Sequence, residues 1–196
     1  MKNYNIFICG VGGQGIGLLS EVLIQSCLAA GYAVLGVDTH GLAQRGGIVV
    51  SHLRIGTRDK LFTPRITPGE ADLIVGLERL EAYRGIVNYM RDGGSCIYYD
   101  AEQQPIHVRM GMTDYPAISE LEQAVAERHG KLERVFIEDL PDVRMQNTAV
   151  LGRIASFELV EGVTGDIIRE QLLEISPAGA RDANQRVFEQ AMAART

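Results

Sequence analysis

The chain lacks the features that mark several whole classes of protein. None of its 196 residues fall in a run approaching the roughly 20 apolar positions that a membrane span requires. Lys2 leads straight into a strand-like pattern, without the long apolar segment and small-residue cleavage site of a secretory signal, so a cytoplasmic protein is expected. Cysteine is scarce. Cys9, Cys27 and Cys96 are widely spaced among apolar neighbours, which predicts buried thiols. With no C-x-x-C pair, the chain is not expected to hold zinc or an iron–sulfur cluster by itself. Basic charge is also in deficit. The 19 Lys and Arg against 25 Asp and Glu leave a formal charge of −6, which argues against nucleic acid as the main partner, because phosphate binding wants a basic face. There is no internal repeat, low-complexity segment or domain boundary, and no G-x-S-x-G, P-loop, H-E-x-x-H or metal-spaced carboxylate set.

What is present is an alternation of apolar runs and glycine-marked turns, with 46% of residues apolar and both charge signs interspersed. That composition suits one soluble α/β domain with a substantial core. Asn5 to Cys9 reads as a short strand, Gly10 to Gly15 as a glycine loop, and Gly15 to Ala30 as an apolar helix stopped by Gly31. Ala33 to Val37 reads as a buried strand ending at Asp38. Strand, helix and strand form a βαβ unit, whose crossover is expected to be right-handed. A polar loop, Thr39 to Gly47, leads to a strand over Ile48 to Ile55. Gly56 to Asp59 reads as a hairpin turn into Lys60 to Phe62.

Further strands are expected over Asp72 to Gly76, Ser95 to Tyr99 and Arg134 to Glu138, with a short one around Ile106 to Met110. Helices are expected over Leu77 to Met90 with Val87 inward, Ile118 to His129, Gln146 to Leu159 with Phe157 inward, Ile167 to Ile175, and Asn184 to Ala194. The alternation predicts a Rossmann-like, mainly parallel sheet with helices on both faces, in a single domain spanning residues 1–196.

Two loops concentrate the chemistry. Gly10, Gly12 and Gly15 match G-x-G-x-x-G between strand and helix, where glycines allow a tight turn, close approach to a phosphate and close helix packing. The helix N-terminus offers unpaired N–H groups to an anion, and Asp38 stands about where a ribose-binding acid would. Gly13 and Gln14 complete the loop, and Gln14 places a bulky amide inside it. The alternative is a loop that merely turns tightly and packs. In the second loop, His40, Gln44, Arg45, Gly46 and Gly47 lie beside the carboxyl ends of the strands, where open α/β sheets bind ligands. Arg45 can pair bidentately with a phosphate or carboxylate, and His40 can donate a hydrogen bond or move a proton. The plainer alternative pairs Arg45 with Asp38 and leaves His40 as a loop cap.

Lesser candidates have bland explanations. His52 and Arg54 are expected to be exposed strand side chains. Glu78 and Glu81 look like a carboxylate pair but are expected to lie on a solvated helix face. Asn147 is either a helix N-cap or a site residue.

Gly10-Val-Gly-Gly-Gln-Gly15, then Asp38-Thr-His-Gly-Leu-Ala-Gln-Arg-Gly-Gly47, then Val49 to Gly56 together resemble the gamma subunit or domain of 2-oxoacid:ferredoxin oxidoreductases. The nearest branch is the small (beta) subunit of indolepyruvate ferredoxin oxidoreductase. Ala71 to Glu78 with Glu81-Ala82, Asn147 with Leu151-Gly152, and Asn184 with Phe188 extend the resemblance over most of the chain.

The resemblance implies participation in coenzyme A-dependent oxidative decarboxylation of a 2-oxoacid to an acyl-CoA, with ferredoxin as acceptor. In that chemistry thiamine diphosphate and iron–sulfur clusters do the hard steps. This chain lacks the family's thiamine signature and cluster cysteines, so it would bind none of these groups itself. It would need a larger partner subunit that carries them. By the same resemblance, the edge formed by Gly10 to Gln14 and His40 to Gly47 would pack over the partner's active site. Gln44 and Arg45 would shape the substrate and coenzyme A channel, with Arg45 meeting an anionic group, and no residue is assigned as a proton-transfer catalyst. Such an interface buries on the order of 2,000 Å² or more, so the isolated chain is expected to show an apolar patch or to self-associate. Two rivals stand beside this account: a stand-alone Rossmann module binding NAD or another nucleotide, and a purely structural subunit.

Overall fold

Every central strand of this chain alternates apolar residues between two covered faces. The computed structural model describes residues 3–40, 47–102, 108, 110–111, 114–157 and 159–194. Six strands form one sheet: β1 (Tyr4–Val11), β2 (Ala33–His40), β3 (Ile48–Gly56), β4 (Ala71–Gly76), β5 (Met90–Tyr99) and β6 (Lys131–Val135). Their spatial order is β2-β3-β1-β4-β5-β6. Six α-helices are described: α1 (Ile16–Ala29), α2 (Arg79–Tyr89), α3 (Ile118–Ala126), α4 (Gln146–Ala155), α5 (Gly165–Ile175) and α6 (Arg181–Ala193).

Ile6, Ile8, Leu73, Val75, Ile97 and Tyr99 point to one face, where they meet apolar residues of α1, α4, α5 and α6. Phe7, Cys9, Ile74, Cys96 and Tyr98 point to the other, against α2 and α3. Because both faces are buried, the strands read as continuous apolar runs rather than as alternating ones. α4 lies inside the larger layer, and nine of its residues are buried on every side.

The sheet is mainly parallel, as expected, with one departure. β1, β4, β5 and β6 pair in parallel. β3 pairs antiparallel with both β1 and β2, so β3 alone runs against the others and separates β1 from β2. The first strand–helix–strand unit therefore does not place its two strands side by side. β2 is an edge strand with half-exposed residues, not the buried strand its apolar sequence implied.

Other boundaries shift for local reasons. The turn after β3 winds into a short 3-10 helix, Arg58–Lys60, and leads into no strand, leaving Phe62 86% exposed. β5 begins before the Asp92-Gly93-Gly94 segment, which sits in a register shift opposite Ala71 and Leu73, and Arg91 Nε there meets Asp72 Oδ1 at 2.6 Å. β6 starts three residues early, so that Leu132 and Val135 enter opposite faces. α3 stops at Ala126 and α4 at Ala155, and Val87 and Phe157 are part-exposed rather than inward. Most of the stretch expected to hold a strand at Ile106 to Met110 lies outside the described residues. No helix among the described residues is long and apolar enough to cross a membrane.

Candidate functional site

The glycine loop leaves the carboxyl end of β1 and enters α1, with Gly15 at the N-cap. Its interior is filled by the chain's own amides. Gln14 is 3% exposed. Its Oε1 accepts the Val11 N–H at 2.7 Å, and its Nε2 donates to the Leu77 carbonyl at 2.6 Å and to Gln146 Oε1 at 3.2 Å. A Cβ on Gly10 would stand 2.7 Å from Gln14 Oε1, and one on Gly15 only 2.3 Å from Asn147 Nδ2. Gly15 also has φ +77°, which favours glycine. These two glycines make room for side chains of this chain, not for a phosphate.

Asn147 is not the helix cap; that position is Met145, and Asn147 lies within the first turn of α4. Its Nδ2 donates to the Gly15 carbonyl at 3.2 Å and its Oδ1 accepts the Thr148 N–H at 2.7 Å. Thr148 Oγ1 meets Asn184 Oδ1 at 3.1 Å, and Asn184 Nδ2 donates to Ser176 Oγ at 2.8 Å. A buried polar chain thus ties the glycine loop to α4 and α6. It places Asn147 and Asn184 in one network, although they lie far apart in sequence.

The two expected loops do meet. The Gly12 N–H donates to the Gly47 carbonyl at 2.9 Å. His40 ends β2, in register with Val49. Gln44, Arg45 and Gly46 lie outside the described residues, and with them the expected Arg45–Asp38 pair. Gly10, Gly12, Gly13, Gln14, Gly15, Gly47 and Asn147 therefore converge at one end of the sheet.

The geometry departs from a dinucleotide site in three ways. Asp38 is exposed on β2, paired with Ser51 on the interposed β3. That puts it about 10 Å from β1 in the sheet plane rather than on the neighbouring strand. The Val11 and Gly12 amides are already bonded within the protein. The pocket at the mouth, lined by residues such as Val11, Gly13, Gly17 and Val49, holds about 210 Å³, below the roughly 300–1,000 Å³ of ordinary ligand sites.

Several lesser candidates are corrected. His52 is buried, not exposed. Its Nδ1 accepts the Ile66 N–H at 3.3 Å, and its ring meets Phe7 and Tyr89 edge-on. Burial, with Arg65 nearby, lowers its pKa, so the ring is neutral. Arg54 is half-buried and donates to Asn5 Oδ1 and to the Thr63 carbonyl, both at 3.1 Å. Glu78 and Glu81 do not lie on a solvated face; they are 0% and 2% exposed. Glu78 caps α2, its Oε2 accepting the Glu81 N–H at 2.9 Å. Burial pushes Glu81 up to about 7, against the opposing pull of Arg84 at 2.8 Å, and it raises Glu78 as well.

The cysteines are all buried. The Cys9 thiol donates to the Glu81 carbonyl at 3.2 Å. Burial raises all three pKa values, that of Cys27 to about 12. Among the described residues no three His, Cys, Asp or Glu side chains are grouped closely enough to hold a metal ion.

A second cluster went unnoticed in the sequence. A cavity of about 530 Å³ opens beyond β5 and β6, lined by Arg79, Asp100, Arg134, Phe136, Val143 and Gln146 among others. Asp100 bridges Arg79 Nε at 2.7 Å and Arg134 Nη2 at 2.6 Å. The usable signal was position: Glu78-Arg79 follows β4 and Asp100 follows β5, at the carboxyl ends where α/β sheets bind.

Comparison with known proteins places this architecture. The model of the family described as pyruvate ferredoxin/flavodoxin oxidoreductase matches residues 5–194. The indolepyruvate oxidoreductase subunit IorB of Thermococcus kodakarensis is 33% identical over 199 residues, covering 96% of this chain and 94% of that protein. The fold is also similar to the gamma subunit of a keto/oxoacid ferredoxin oxidoreductase from Geobacter sulfurreducens, with a TM-score of 0.63, 16% identity, and 96% of each chain covered. It is similar, too, to part of 2-oxoglutarate:ferredoxin oxidoreductase from Magnetococcus marinus, with a TM-score of 0.67 and 16% identity, over 98% of this chain and 31% of that one. With the match running nearly end to end, the chain belongs to the pyruvate ferredoxin/flavodoxin oxidoreductase family.

Proposed function

We propose that this chain is the small, gamma-type subunit of a cytoplasmic indolepyruvate-type 2-oxoacid:ferredoxin oxidoreductase. The observation that carries this reading is the nearly end-to-end match, at 33% identity, to an indolepyruvate oxidoreductase subunit of almost the same length. The glycine loop supports it, because its polar groups are met by Gln14, Asn147 and Gly47. The loop is thereby suited to a preformed surface rather than to a nucleotide cradle.

In this reading a larger partner subunit holds thiamine diphosphate and iron–sulfur clusters. Those groups supply the decarboxylation and the electron path to ferredoxin. This chain contributes the edge built from Gly10 to Gly15, His40 to Gly47 and Asn147, packed over the partner's site. Gln44 and Arg45 line the way for the 2-oxoacid and coenzyme A, and the Arg45 guanidinium pairs with an anionic group.

The test is an anaerobic affinity pull-down of the chain from its own cells, with cofactor analysis and a panel of 2-oxoacids. A large partner carrying thiamine diphosphate and iron, with turnover of an aryl pyruvate, is the expected result. In that complex Arg45→Ala is expected to cut kcat/KM at least tenfold, the effect of losing one charged contact. Recovery of the chain alone with a bound nucleotide overturns the reading.

A further inference from the structure

The strongest unexplained feature is the contact between Glu78 and Tyr115. Glu78 is 0% exposed. Its Oε2 is taken by the Glu81 N–H at 2.9 Å, and its Oε1 lies in hydrogen-bond contact with Tyr115 Oη. The same phenol oxygen stands 2.9 Å from the Ala101 carbonyl. A phenol has one proton and a carbonyl has none. Were Glu78 a carboxylate, one proton would face two acceptors, and one of the contacts would be a buried repulsion. As the neutral acid, Glu78 donates to Tyr115 and Tyr115 donates to Ala101, so each group is satisfied. The other oxygen, then a carbonyl, still accepts the Glu81 N–H.

Burial favours the neutral acid, against Tyr115, the Glu81 and Leu80 N–H groups and Arg79, which favour the charged form. Among the described residues no cation forms an ion pair with it. Arg79 is drawn to Asp100 at 2.7 Å and Glu102 at 3.2 Å, and Arg84 to Glu81 at 2.8 Å. The remaining titratable groups on the packed elements are Glu81 on α2, Asp100 and Glu102 beyond β5, and the Cys9 thiol on β1. Of these, Glu81 opposes a second negative charge at Glu78, while Asp100 and Glu102 are held by arginines and the Cys9 thiol is neutral. Tyr115 meanwhile anchors the segment entering α3. The Arg79 guanidinium lies 5.3 Å from its ring centre and reaches the Pro116 carbonyl at 3.4 Å.

We propose that Glu78 stays protonated at neutral pH and that this proton, by freeing the Tyr115 O–H for the Ala101 carbonyl, latches residues 114–117 onto the β4–α2 junction, loosening them when it is lost and the phenol has one proton for two acceptors. Leu77, the next residue, seats Gln14 through its carbonyl. The latch is therefore continuous with the glycine loop.

The full chain is studied by infrared spectroscopy at pH 7 and by pH-resolved amide exchange over residues 114–118. Glu78→Gln copies the neutral acid, its NH₂ donating to Tyr115. The wild type is expected to show a protonated-carboxyl band that Glu78→Gln removes. Its 114–118 amides are expected to exchange about tenfold faster above the release pH, relative to Glu78→Gln, for loss of one buried hydrogen bond. No band lost at pH 7, or identical exchange in both proteins at every pH, overturns the proposal. Should Glu78→Gln fail to fold, Tyr115→Phe serves instead. It leaves the acid in place and removes its acceptor, so the band must shift; an unmoved band sinks the idea.

Discussion

Gln14 decides what the glycine loop is. A side chain between glycines would ordinarily obstruct a phosphate cradle; here its amide completes the loop by bonding Val11, Leu77 and Gln146. The fingerprint itself was legible in sequence, but its use was not. The partners that settle it lie 63 and 132 residues away, and short-range spacing carries no information about them. The cost of crowding this arrangement can be predicted. Gly15→Ala puts a Cβ 2.3 Å from Asn147 Nδ2 at a φ of +77°. It should cost about 2–3 kcal/mol, from left-handed strain plus the displaced Asn147 hydrogen bond. Gly17→Ala, with nothing within 4 Å of the new Cβ, should be neutral or slightly stabilising. Urea unfolding of both variants measures the difference. Gly15→Ala should cost less in an Asn147→Ala background than in the wild type, because there the clash is gone and the backbone strain remains. An equal cost in both backgrounds would mean that the contact with Asn147 is not what constrains Gly15.

At the level of elements, the run of strands and helices could be read from periodicity, whereas the strand order could not. Alternation says where a strand lies, not which strand lies beside it. The clue was β3, where His52 and Arg54 were expected to be exposed. Inside the sheet each has a partner, as does Ser51 beside them: Ser51 meets Ser20 Oγ at 3.0 Å, His52 Nδ1 accepts the Ile66 N–H and its ring packs on Phe7 and Tyr89, and Arg54 reaches Asn5. Polar residues on a strand thus marked a central position that supplies their hydrogen bonds.

The packing of α4 on α6 was not legible in the sequence, where Leu151-Gly152 and Phe188 entered only as separate parts of the family resemblance; its cause is contact. A Cβ on Gly152 would lie 2.3 Å from the Phe188 carbonyl oxygen and 3.0 Å from Ala191 Cβ. Gly152→Ala should therefore force the two helices apart and cost about 2–3 kcal/mol. For a chain of this length that lowers Tm by roughly 5–10 °C. The same separation should loosen the Thr148–Asn184 bond and expose Asn184 amide protons to exchange. A Tm within a degree of wild type would show that the helices are not held this closely.

For the molecule as a whole, the buried ionisable groups set opposing pH dependences, and Glu81 allows one of them to be isolated. Burial, partly offset by Arg84, moves Glu81 from the ordinary glutamate value of 4.5 to about 7. The unfolded chain releases this proton near 4.5, while the folded chain keeps it to about 7. Between those values unfolding liberates a proton, so the Glu81 contribution is complete below pH 4.5 and is lost as pH rises through 7. The size follows from the shift and is on the order of 3 kcal/mol. His52 acts in the other direction, because its lowered pKa makes folding resist protonation and costs stability as pH falls below 6.5. A single stability-against-pH curve therefore mixes the two. The difference between wild type and Glu81→Gln removes the His52 contribution, which both proteins share. Chemical unfolding of the pair at several pH values from 4.5 to 8 should show wild type losing ground to the variant as pH rises, most steeply between 5 and 7. A difference that stays flat over this interval would mean that Glu81 is already ionised and held by Arg84 as an ordinary ion pair. The buried carboxyl pair beside the glycine loop would then carry a full charge into the interior.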